Sequence, residues 1–476
     1  MSLSAKPRPV KNIKPVCVLV IGGGASGLAA AVTAARAGAS VYVADRMDRV
    51  GRKILASGDG RCNLSNIGIK AKHYHGAGAK SAFSIISRFD MNFVPDFFRD
   101  LGVLISVEDG SRLYPGTFQS STVLNALRSE AARLGVTELV SHEAVSIIKG
   151  NGVFRTRFTN GRTFVSDRLI VAAGGAASPF LGSDGSGWRL MREFGHRTAA
   201  AAPALTQLCL APQGIRGLKG VRTRAGLTLL TASGGDDSRY AAGYSETGEL
   251  LFTEYGLSGI PSLNVSNRLA PYLETPDAAG NARADTPEKN VKPARGAPAA
   301  QKKAGMVKTD ERAARQMVSV DLFPNYSLGE MLGFMDRQIG MRPGAPIGDI
   351  LGGVMHKNIA AHIIKNALPD DFSTNRQNGG ESRLAKDIRP ADVRRLAGAM
   401  KDWRHALQGV KGFESAQAAY GGLSFDDFNL ENLESKIVRG LFAAGEIMDV
   451  VGDCGGYNLH WAWLSGYLAG AGAASV

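Results

Sequence analysis

The chain begins with an apolar run that leads directly into a glycine-rich turn. Residues 16–21 are all apolar, residues 22–27 are Gly-Gly-Gly-Ala-Ser-Gly, and an alanine-rich segment then extends to Gly38. A second, largely apolar run follows at residues 41–44 and ends at Asp45. This order predicts a strand, a tight turn, a helix and a second strand, the arrangement that holds a nucleotide pyrophosphate.

Each part of this segment has a physical reason to be present. Gly22 allows the tight turn, Gly24 lets the backbone approach the pyrophosphate, and Gly27 lets the helix pack against the strand. The unpaired N–H groups at the helix N-terminus attract the phosphates. Asp45 lies 21 residues after Gly24, where a carboxylate accepts the ribose hydroxyls. An acid there favours FAD or NAD over a cofactor with a 2′-phosphate.

Length and cysteine content limit the class of protein. The chain has 476 residues, too many for one core, so we expect two or three domains. Its four cysteines include no CxxC pair, which argues against a zinc site, a disulfide framework and a redox disulfide beside a flavin. We expect no metal site, no secretory signal and no membrane span, and the cysteine usage suits the cytoplasm.

Basic residues are concentrated in two segments. The net charge is +13, of which residues 1–15 contribute +4 and residues 281–316 contribute +5. We expect residues 1–15 to form a flexible tail and residues 276–315 a flexible surface insertion whose removal leaves the fold intact. Their charge serves either solubility or contact with a polyanion such as ribosomal RNA, and charge alone leaves both interpretations open.

The middle of the chain changes from β-like to helix-like patterns. Residues 136–173 contain short β-like runs with a hairpin signal at Asn160-Gly161. Residues 205–270 predict further strands in a small barrel or sheet. Residues 327–420 predict mostly helices, and residues 394–407 form one of the clearer amphipathic stretches.

The C-terminal segment returns to a pattern that suits a cofactor. Residues 437–443 predict a strand, Gly445-Glu446 and Asp449 follow, and the double glycine at 455–456 precedes a predicted helix over residues 459–474. A helix N-terminus after a double glycine is a second place that favours negative charge. Both chain ends therefore predict one domain for a long cofactor such as FAD, with the middle of the chain inserted into it.

These patterns divide the chain into five parts. They are a basic flexible tail (1–15), the first part of an FAD-binding domain (16–198), an inserted β-rich subdomain (199–330) that carries the insertion, an inserted helical subdomain (331–415), and the C-terminal part of the FAD-binding domain (416–476).

Several longer motifs resemble one bacterial flavoprotein family. Residues 51–66 read Gly-Arg-Lys-Ile-Leu-Ala-Ser-Gly-Asp-Gly-Arg-Cys-Asn-Leu-Ser-Asn, and the similarity continues through residues 110–115, 174–179, 248–259 and 445–470. These motifs are similar to those of the HI0933-like flavoproteins, which are bacterial NAD(P)/FAD-dependent oxidoreductases. Members have been named aminoacetone oxidase, 3-dehydro-bile-acid reductase and ribosomal RNA dihydrouridine synthase.

The resemblance implies a fold and a set of cofactor contacts. The implied fold is α/β plus α+β, a glutathione-reductase-like Rossmann FAD domain interrupted by a β-barrel-like and a helical subdomain. The implied FAD-binding residues are Gly22, Gly24, Ala25, Ser26, Gly27, Asp45, Arg46, Lys53, Arg61, Cys62, Asn63, Gly174, Gly445, Glu446, Asp449, Gly456, Tyr457 and Asn458. Lys53 and Arg61 would supply positive charge near a phosphate or the reduced flavin, and Asp449 would accept from the ribityl hydroxyls.

The sequence says less about the electron donor and the proton donor than about the cofactor. Only one GxGxxG is present, so NADH or NADPH would bind transiently as the electron donor. A reductase also needs a proton donor. The candidates for a catalytic role are Cys62, Tyr420 and Cys454, and Arg61 could lower the pKa of a nearby thiol. Tyr420 stands where the family pattern Thr-x-Gly-Gly-Val is replaced by Ala-Tyr-Gly-Gly-Leu.

Other residues have structural explanations that compete with a catalytic one. Tyr457, His356 and His460 are further possible acids, and both histidines are more often structural. Trp461 and Trp463 fit a helix core better than a stack on a base. Cys62 and Cys454 equally suit small packing residues beside the cofactor.

Three functions remain open from the sequence. The first is reduction of an activated C=C bond, in a uracil of ribosomal RNA or in an enone. The second is oxidation of a small amine with O₂. The third is a flavin-containing RNA-binding or redox-sensing protein without turnover. The sequence leaves the oligomeric state open.

Overall fold

The computed structural model describes residues 15–232, 240–269, 273, 305–308, 316–368 and 383–475. The predicted tail, except Pro15, and the predicted insertion, except residues 305–308, lie outside the described residues. The chain forms two compact units. The first consists of Met1–Gly175, Phe180–Ala199 and Gly421–Val476, and the second of Ala176–Pro179 and Ala200–Tyr420.

The described part of the chain contains these α-helices: α1 Ala25–Arg36, α2 Arg52–Ala56, α3 Ala79–Ile86, α4 Phe93–Asp100, α5 Ser120–Arg133, α6 Ser186–Arg192, α7 Ile260–Leu269, α8 Leu328–Met341, α9 Ile347–Gly352, α10 Lys357–Ala367, α11 Pro390–Lys401 and α12 Tyr457–Ala474. Its strands are β1 Cys17–Ile21, β2 Ser40–Ala44, β3 Ser65–Asn66, β4 Tyr74–His75, β5 Ile105–Glu108, β6 Arg112–Pro115, β7 Thr137–Leu139, β8 Ala144–Gly150, β9 Val153–Phe158, β10 Thr163–Ser166, β11 Arg168–Val171, β12 Thr198–Ala204, β13 Leu208–Leu210, β14 Arg222–Ala232, β15 Tyr240–Phe252, β16 Gly256–Ser258, β17 Met306–Lys308, β18 Gln316–Asp321, β19 Trp403–Lys411, β20 Ala418–Leu423, β21 Leu441–Ala443 and β22 Val451–Gly452.

The first unit is built on a parallel sheet in the order β21-β11-β1-β2-β7. At its centre, Leu19 pairs with Tyr42 on one side and Leu169 on the other. The middle residues of β1 are fully buried. Burial on both faces explains why the strand is a continuous apolar run instead of an alternating one. The predicted Rossmann-type domain is therefore confirmed.

Small residues bring the two ends of the chain together in this unit. A Cβ on Gly466 of α12 would overlap the carbonyl oxygen of Ser26, and one on Gly470 would overlap that of Ala30. α1 and α12 thus pack backbone against backbone. The C-terminal helix begins at Tyr457, two residues before the predicted start.

A three-stranded antiparallel sheet, β10-β9-β8, also belongs to the first unit. The predicted turn at Asn160-Gly161 joins β9 and β10, and Gly161 has a φ of 80°. The strand predicted over residues 437–443 is shorter than expected and includes only β21. It starts after Gly440, whose φ of 79° places it in a turn.

The second unit contains a closed barrel. Its strands follow the order β13-β16-β15-β14-β18-β19, and β19 pairs back with β13. β17 pairs with β19 beyond the end of β18. The residues of β17 lie within the predicted flexible insertion, so that prediction is wrong for Met306–Lys308.

The helices of the second unit share one core with the barrel. Buried apolar residues of the barrel, such as Leu227 and Val318, form one cluster with helix residues such as Met335, Ile363 and Leu396. The sequence separates a β-rich from a helical subdomain at residue 330, whereas the structure has a single core.

The amphipathic stretch at residues 394–407 is only partly helical, which corrects the prediction. α11 ends at Lys401, and Trp403–Lys411 forms β19. Along β19, Trp403, His405 and Leu407 are buried while Arg404 and Ala406 are exposed. This alternation has the period of a strand, and it begins where the helical period ends.

Candidate functional site

The glycine turn after β1 combines two crowded positions with one open position. A Cβ on Gly22 would overlap the carbonyl oxygen of Ala172, and one on Gly27 would overlap the carbonyl oxygen of Gly22. Gly22 also has a φ of 101°, which only glycine adopts readily. By contrast, a Cβ on Gly24 would meet no atom within 4 Å. The open space in front of Gly24 is where the sequence predicts a pyrophosphate.

The first turn of α1 leaves its N–H groups available to an anion. Gly24 is the N-cap, and no side chain among the described residues caps this helix. Ala25, Ser26 and Gly27 form that turn. The dipole of the helix and its unpaired N–H groups favour a phosphate at this position.

Asp45 is held beside the glycine turn by the backbone. One carboxylate oxygen accepts the Gly23 N–H at 2.8 Å, and the other accepts the Met47 N–H at 2.8 Å. Burial raises the pKa of Asp45, while these two hydrogen bonds lower it. Each oxygen has a second lone pair for a ribose hydroxyl.

Arg46, the next predicted FAD contact, forms ion pairs with two carboxylates. Its guanidinium contacts the Asp184 carboxylate and lies 3.4 Å from that of Glu143. Gly174 lies near the loop that carries Asp184, since a Cβ on Gly174 would lie 2.7 Å from the Oγ of the preceding residue, Ser183.

The predicted residues at the two chain ends meet in the first unit. Ser26 Oγ donates to the Ala444 carbonyl at 3.3 Å. The Gly445 N–H donates to Ser465 Oγ at 2.9 Å, and Trp461 Nε1 donates to the Gly445 carbonyl at 3.0 Å. A single site built from both ends of the chain is consistent with these bonds.

Lys53 and Arg61 each have a carboxylate partner. Lys53 Nζ lies 2.7 Å from Glu446 Oε2, so two predicted FAD-binding residues form one ion pair. Arg61 donates to Glu108 Oε1 at 2.6 Å. The Arg61 guanidinium also lies 4.6 Å from the Tyr114 ring centre and 4.7 Å from that of Phe118.

A second group of predicted residues surrounds the start of α12. Gly456, the N-cap of this helix, has a φ of 96°. A Cβ there would lie 2.7 Å from Asn63 Oδ1. That oxygen is buried and has no hydrogen-bond partner among the described residues. A buried acceptor without a partner costs about 1–3 kcal/mol, so this position suits a donor on a bound group.

Asp449 and Asn458 stabilise the loop before α12. Burial raises the pKa of Asp449, and its carboxylate accepts the Ala77 and Gly421 N–H groups. Asn458 Oδ1 accepts the Gly452 N–H at 2.8 Å, and its Nδ2 donates to the Gly452 carbonyl at 2.9 Å. These bonds fix the backbone on which Tyr457 lies.

The structure changes the interpretation of one catalytic candidate. Cys62 is fully buried, and burial raises the pKa of its thiol to about 12. For Cys62, the effect of burial is the largest, and the Arg61 guanidinium pairs with Glu108. A thiol that stays protonated in an apolar cluster fits a packing role.

The other candidates lie in both units. Cys454 is half-buried on the loop before α12. Tyr420 belongs to the second unit, where its hydroxyl donates to the Asn267 carbonyl at 2.6 Å. The catalytic roles of both remain predictions.

Both histidines named from the sequence make contacts that fit structural roles. His356 caps α10 by accepting the Asn358 N–H through Nδ1. His460 is buried, and its Nδ1 lies 2.9 Å from Ser65 Oγ. Burial lowers the pKa of His460 to about 4, so the ring is neutral at pH 7. Trp461 and Trp463 are buried, as expected.

Sequence reasoning missed one cluster of titratable side chains in the first unit. His73 Nδ1 lies 3.2 Å from one oxygen of Asp453, and His75 Nε2 lies 2.8 Å from the other. The His73 ring stacks on Tyr457, with centroids 4.4 Å apart. The closely spaced histidines of His-Tyr-His at residues 73–75 were a usable signal; His73 ends a 3-10 turn and His75 lies in β4.

Two further features bear on the class of protein. Within the described ranges, no group of three or more His, Cys, Asp or Glu side chains could hold a metal ion. No helix in this part of the chain has the length and apolar character to cross a membrane. The cytoplasmic location stays a prediction.

The residues present fit FAD. Gly24 leaves space for the pyrophosphate, Asp45 has lone pairs for the ribose, and the buried oxygen of Asn63 lacks a partner among the described residues. The individual contacts with FAD stay predictions.

Comparison with known proteins agrees with these features. Residues 16–472 match the HI0933-like protein Rossmann domain family. A 3-dehydro-bile acid delta(4,6)-reductase from Clostridium scindens is 33% identical over 459 residues, which cover 96% of this chain and 98% of that protein. A ribosomal RNA dihydrouridine synthase from Escherichia coli is 25% identical over 449 residues, which cover 94% of this chain and 96% of that protein. A solved 3-ketosteroid-delta4-(5alpha)-dehydrogenase from Rhodococcus jostii RHA1 covers 98% of this chain and 99% of its own, with 15% identity and a TM-score of 0.42.

Proposed function

Because this chain belongs to the HI0933-like family and is an FAD-dependent oxidoreductase, we propose that it reduces a C=C bond conjugated to a carbonyl group in a small molecule. One observation carries the proposal. The relative that is 33% identical over 96% of this chain is named as a delta(4,6)-reductase of a 3-dehydro-bile acid. We extend only the reaction class, an enone reduction, and propose NADH or NADPH as the electron donor.

The chain would hold FAD at two places in the first unit. Gly24, Asp45 and the N-terminus of α1 would hold the ADP half. Asn63, Asp449 and the first turn of α12 would hold the ribityl and flavin half. Bound flavin supplies the hydride for one carbon of the double bond. The N–H groups at the start of α12 favour negative charge nearby, which suits a cofactor that cycles through a reduced form.

The reaction also needs a proton and an acid to provide it. Hydride addition leaves negative charge on the substrate, and a positioned acid removes it. Cys62 is a poor acid because its pKa is about 12. His460 is a poor acid because it is neutral at pH 7 and buried beside Ser65. Tyr420 and Cys454 stay as candidates from the sequence.

A half-reaction under anaerobic conditions tests the proposal. The FAD-loaded protein is reduced with one equivalent of NADPH or NADH and mixed with a 3-oxo-4-ene bile acid. We expect the absorbance of oxidised flavin to return and the product mass to rise by two hydrogens. The matched control is the same acid without the double bond, which should leave the flavin reduced. A flavin that stays reduced with every enone offered would exclude the proposed reaction.

A second candidate substrate has an observation of its own. The Escherichia coli relative that covers 94% of this chain is named as a ribosomal RNA dihydrouridine synthase. Uracil also contains a C=C bond conjugated to a carbonyl, so the same chemistry would apply. Dihydrouridine in large-subunit RNA should be compared in cells with and without this gene. An unchanged content would exclude the uridine substrate.

Two further measurements separate the remaining alternatives. Fast reoxidation of the reduced flavin by O₂, together with reduction by a small amine, would favour an oxidase. RNA binding that weakens with salt, without turnover of any candidate, would favour a binding protein.

A further inference from the structure

Asp453 is shared by two imidazoles. It is 5% exposed, and its two carboxylate oxygens lie within 3.2 Å of His73 Nδ1 and 2.8 Å of His75 Nε2. The two histidine side chains are about one-fifth exposed, at 20% and 19%. The cluster therefore joins a buried carboxylate to two rings that reach solvent.

The cluster is attached to the loop that precedes α12. The Asp453 N–H donates to the His73 carbonyl at 2.9 Å, and β22 pairs with β4 just beside it. His73 stacks on Tyr457, and Tyr74 donates from its hydroxyl to the Tyr457 carbonyl at 3.2 Å. Tyr457 is a predicted FAD-binding residue in the first turn of α12, which we propose to hold the flavin half.

Other titratable groups adjoin the cluster. The Asp449 carboxylate lies beside Gly76, the residue after His75, and Cys454 follows Asp453 in the chain. Tyr74 and Tyr457 contact it, and burial raises the pKa of Tyr74. Lys72 precedes His73 in the chain and is exposed. From α3, which packs against β4, the ring near Tyr74 is Phe83. Asp453 is the carboxylate that contacts both imidazoles.

From this arrangement we infer that His73, Asp453 and His75 form a proton relay for the flavin site. The inference rests on the proposed function, since enone reduction consumes one proton per turnover. Asp453 positions the two imidazoles by contacting both rings. The exposed fraction of both rings connects the relay to solvent.

The proton balance is simple. A hydride adds to the β-carbon of the enone, and a proton ends on the α-carbon, so the C=C bond becomes a C–C single bond. The imidazolium gives up that proton, becomes neutral, and regains a proton from water. NADPH or NADH supplies the two electrons.

Transient kinetics provide the first test. We expect the variants His75→Gln and Asp453→Asn to slow reoxidation of the reduced flavin by the enone about 100-fold at pH 7, as for loss of a general acid. Reduction of the flavin by NADPH or NADH should change little. The dependence of this rate on pH should differ between Asp453→Asn and the unmodified protein, because the carboxylate that contacts both rings is lost.

The matched control is His362→Gln in the second unit. Its ring Nε2 donates to the Arg216 carbonyl at 2.8 Å, outside the cluster, and we expect an unchanged pH profile. Thermal unfolding of every variant identifies those that are merely destabilised. Folded His75→Gln and Asp453→Asn variants with the original rates and pH profile would overturn the relay.

Imidazole NMR provides a test that does not depend on turnover. We expect Asp453→Asn to shift the ring signals of His73 and His75 at a fixed pH, because the carboxylate that contacts both rings is removed. Addition of FAD to the apoprotein should shift these signals more than those of His362. If FAD leaves them unchanged, the relay is overturned even when enone reduction occurs. If they shift and no enone is reduced, the proposed function fails and the cluster still lies at the cofactor.

Discussion

The helices of the two units pack in different ways. In the first, backbones meet at glycines: a Cβ on Gly27 or Gly466 would overlap a carbonyl oxygen. In the second, large apolar side chains such as Met335, Ile363 and Val318 fill a core shared by the barrel and its helices. A position that only glycine can occupy is recognisable in the sequence. Many apolar residues satisfy a core equally well, so their pattern specifies less.

The largest expected effect follows from a crowded glycine. Gly27→Val would force its side chain into the carbonyl oxygen of Gly22, and we expect a loss of about 3 kcal/mol or more. The control is Gly398→Val in α11 of the second unit, where a Cβ meets no atom within 4 Å. Urea unfolding measures both. Equal stability of the two variants would break the comparison between the units.

A variant of Gly24, where a Cβ meets no atom, tests cofactor binding separately from stability. Gly24→Val has room in the protein and an extended backbone, with φ −81° and ψ −163°, so we expect the variant to fold. Its side chain would occupy the space assigned to the pyrophosphate. We expect FAD affinity to fall at least about 100-fold, or roughly 2.7 kcal/mol. Flavin fluorescence measures it, with Gly398→Val as control, and full FAD occupancy in Gly24→Val would contradict the site assignment.

Acid should destabilise each unit in part through a buried histidine. Burial lowers the pKa of His460 in the first unit and of His405 in the second to about 4. Between pH 6.5 and pH 4 the unfolded chain therefore binds more protons, and stability is lost as pH falls. Each histidine accounts for up to roughly 3 kcal/mol. The urea midpoint should therefore fall less between pH 7 and pH 4 in His460→Leu and in His405→Leu than in the unmodified protein.

At pH 7 the same two variants should differ. His460→Leu removes the partner of Ser65 Oγ and should cost about 1–3 kcal/mol. His405 Nε2 is buried without a hydrogen-bond partner among the described residues, so His405→Leu should be neutral or stabilising. A large loss in His405→Leu would show that this nitrogen has a partner elsewhere in the protein or its solvent.

The smallest effect is a gain. Gly333 lies on the exposed face of α8 in the second unit, and a Cβ there meets no atom within 4 Å. Gly333→Ala should stabilise the protein by about 0.5–1 kcal/mol, because alanine loses less backbone entropy in a helix. Urea unfolding checks the gain and flavin content checks that the cofactor site is unaffected. A loss of stability would mean that this surface of α8 has a close neighbour.

The first unit was the more predictable part of the fold. The strand, turn and helix at residues 17–36 and the hairpin at Asn160-Gly161 agree with the structure. In the second unit, the sequence extended a helix through residues 394–407, where the chain instead changes to β19 at Trp403. The short amphipathic pattern fits both periods, and only pairing with β18 decides between them.

The candidate site shows the same division. Asp45 and the glycines were predicted from spacing, because a backbone turn has few acceptable residues. The environment of Cys62 was not predictable, since its pKa depends on burial by residues distant in the chain. Asp453 and His75 are 378 residues apart, and nothing local in the sequence connects them.

The sequence alone determined the family and the cofactor and predicted which segments bind it, because these depend on local backbone geometry with few allowed residues. The tertiary structure decided which charges are paired, which thiol is buried and which histidines share a carboxylate. Those properties arise from contacts between distant segments, where a side chain loses water and gains a partner that its neighbours in sequence do not supply.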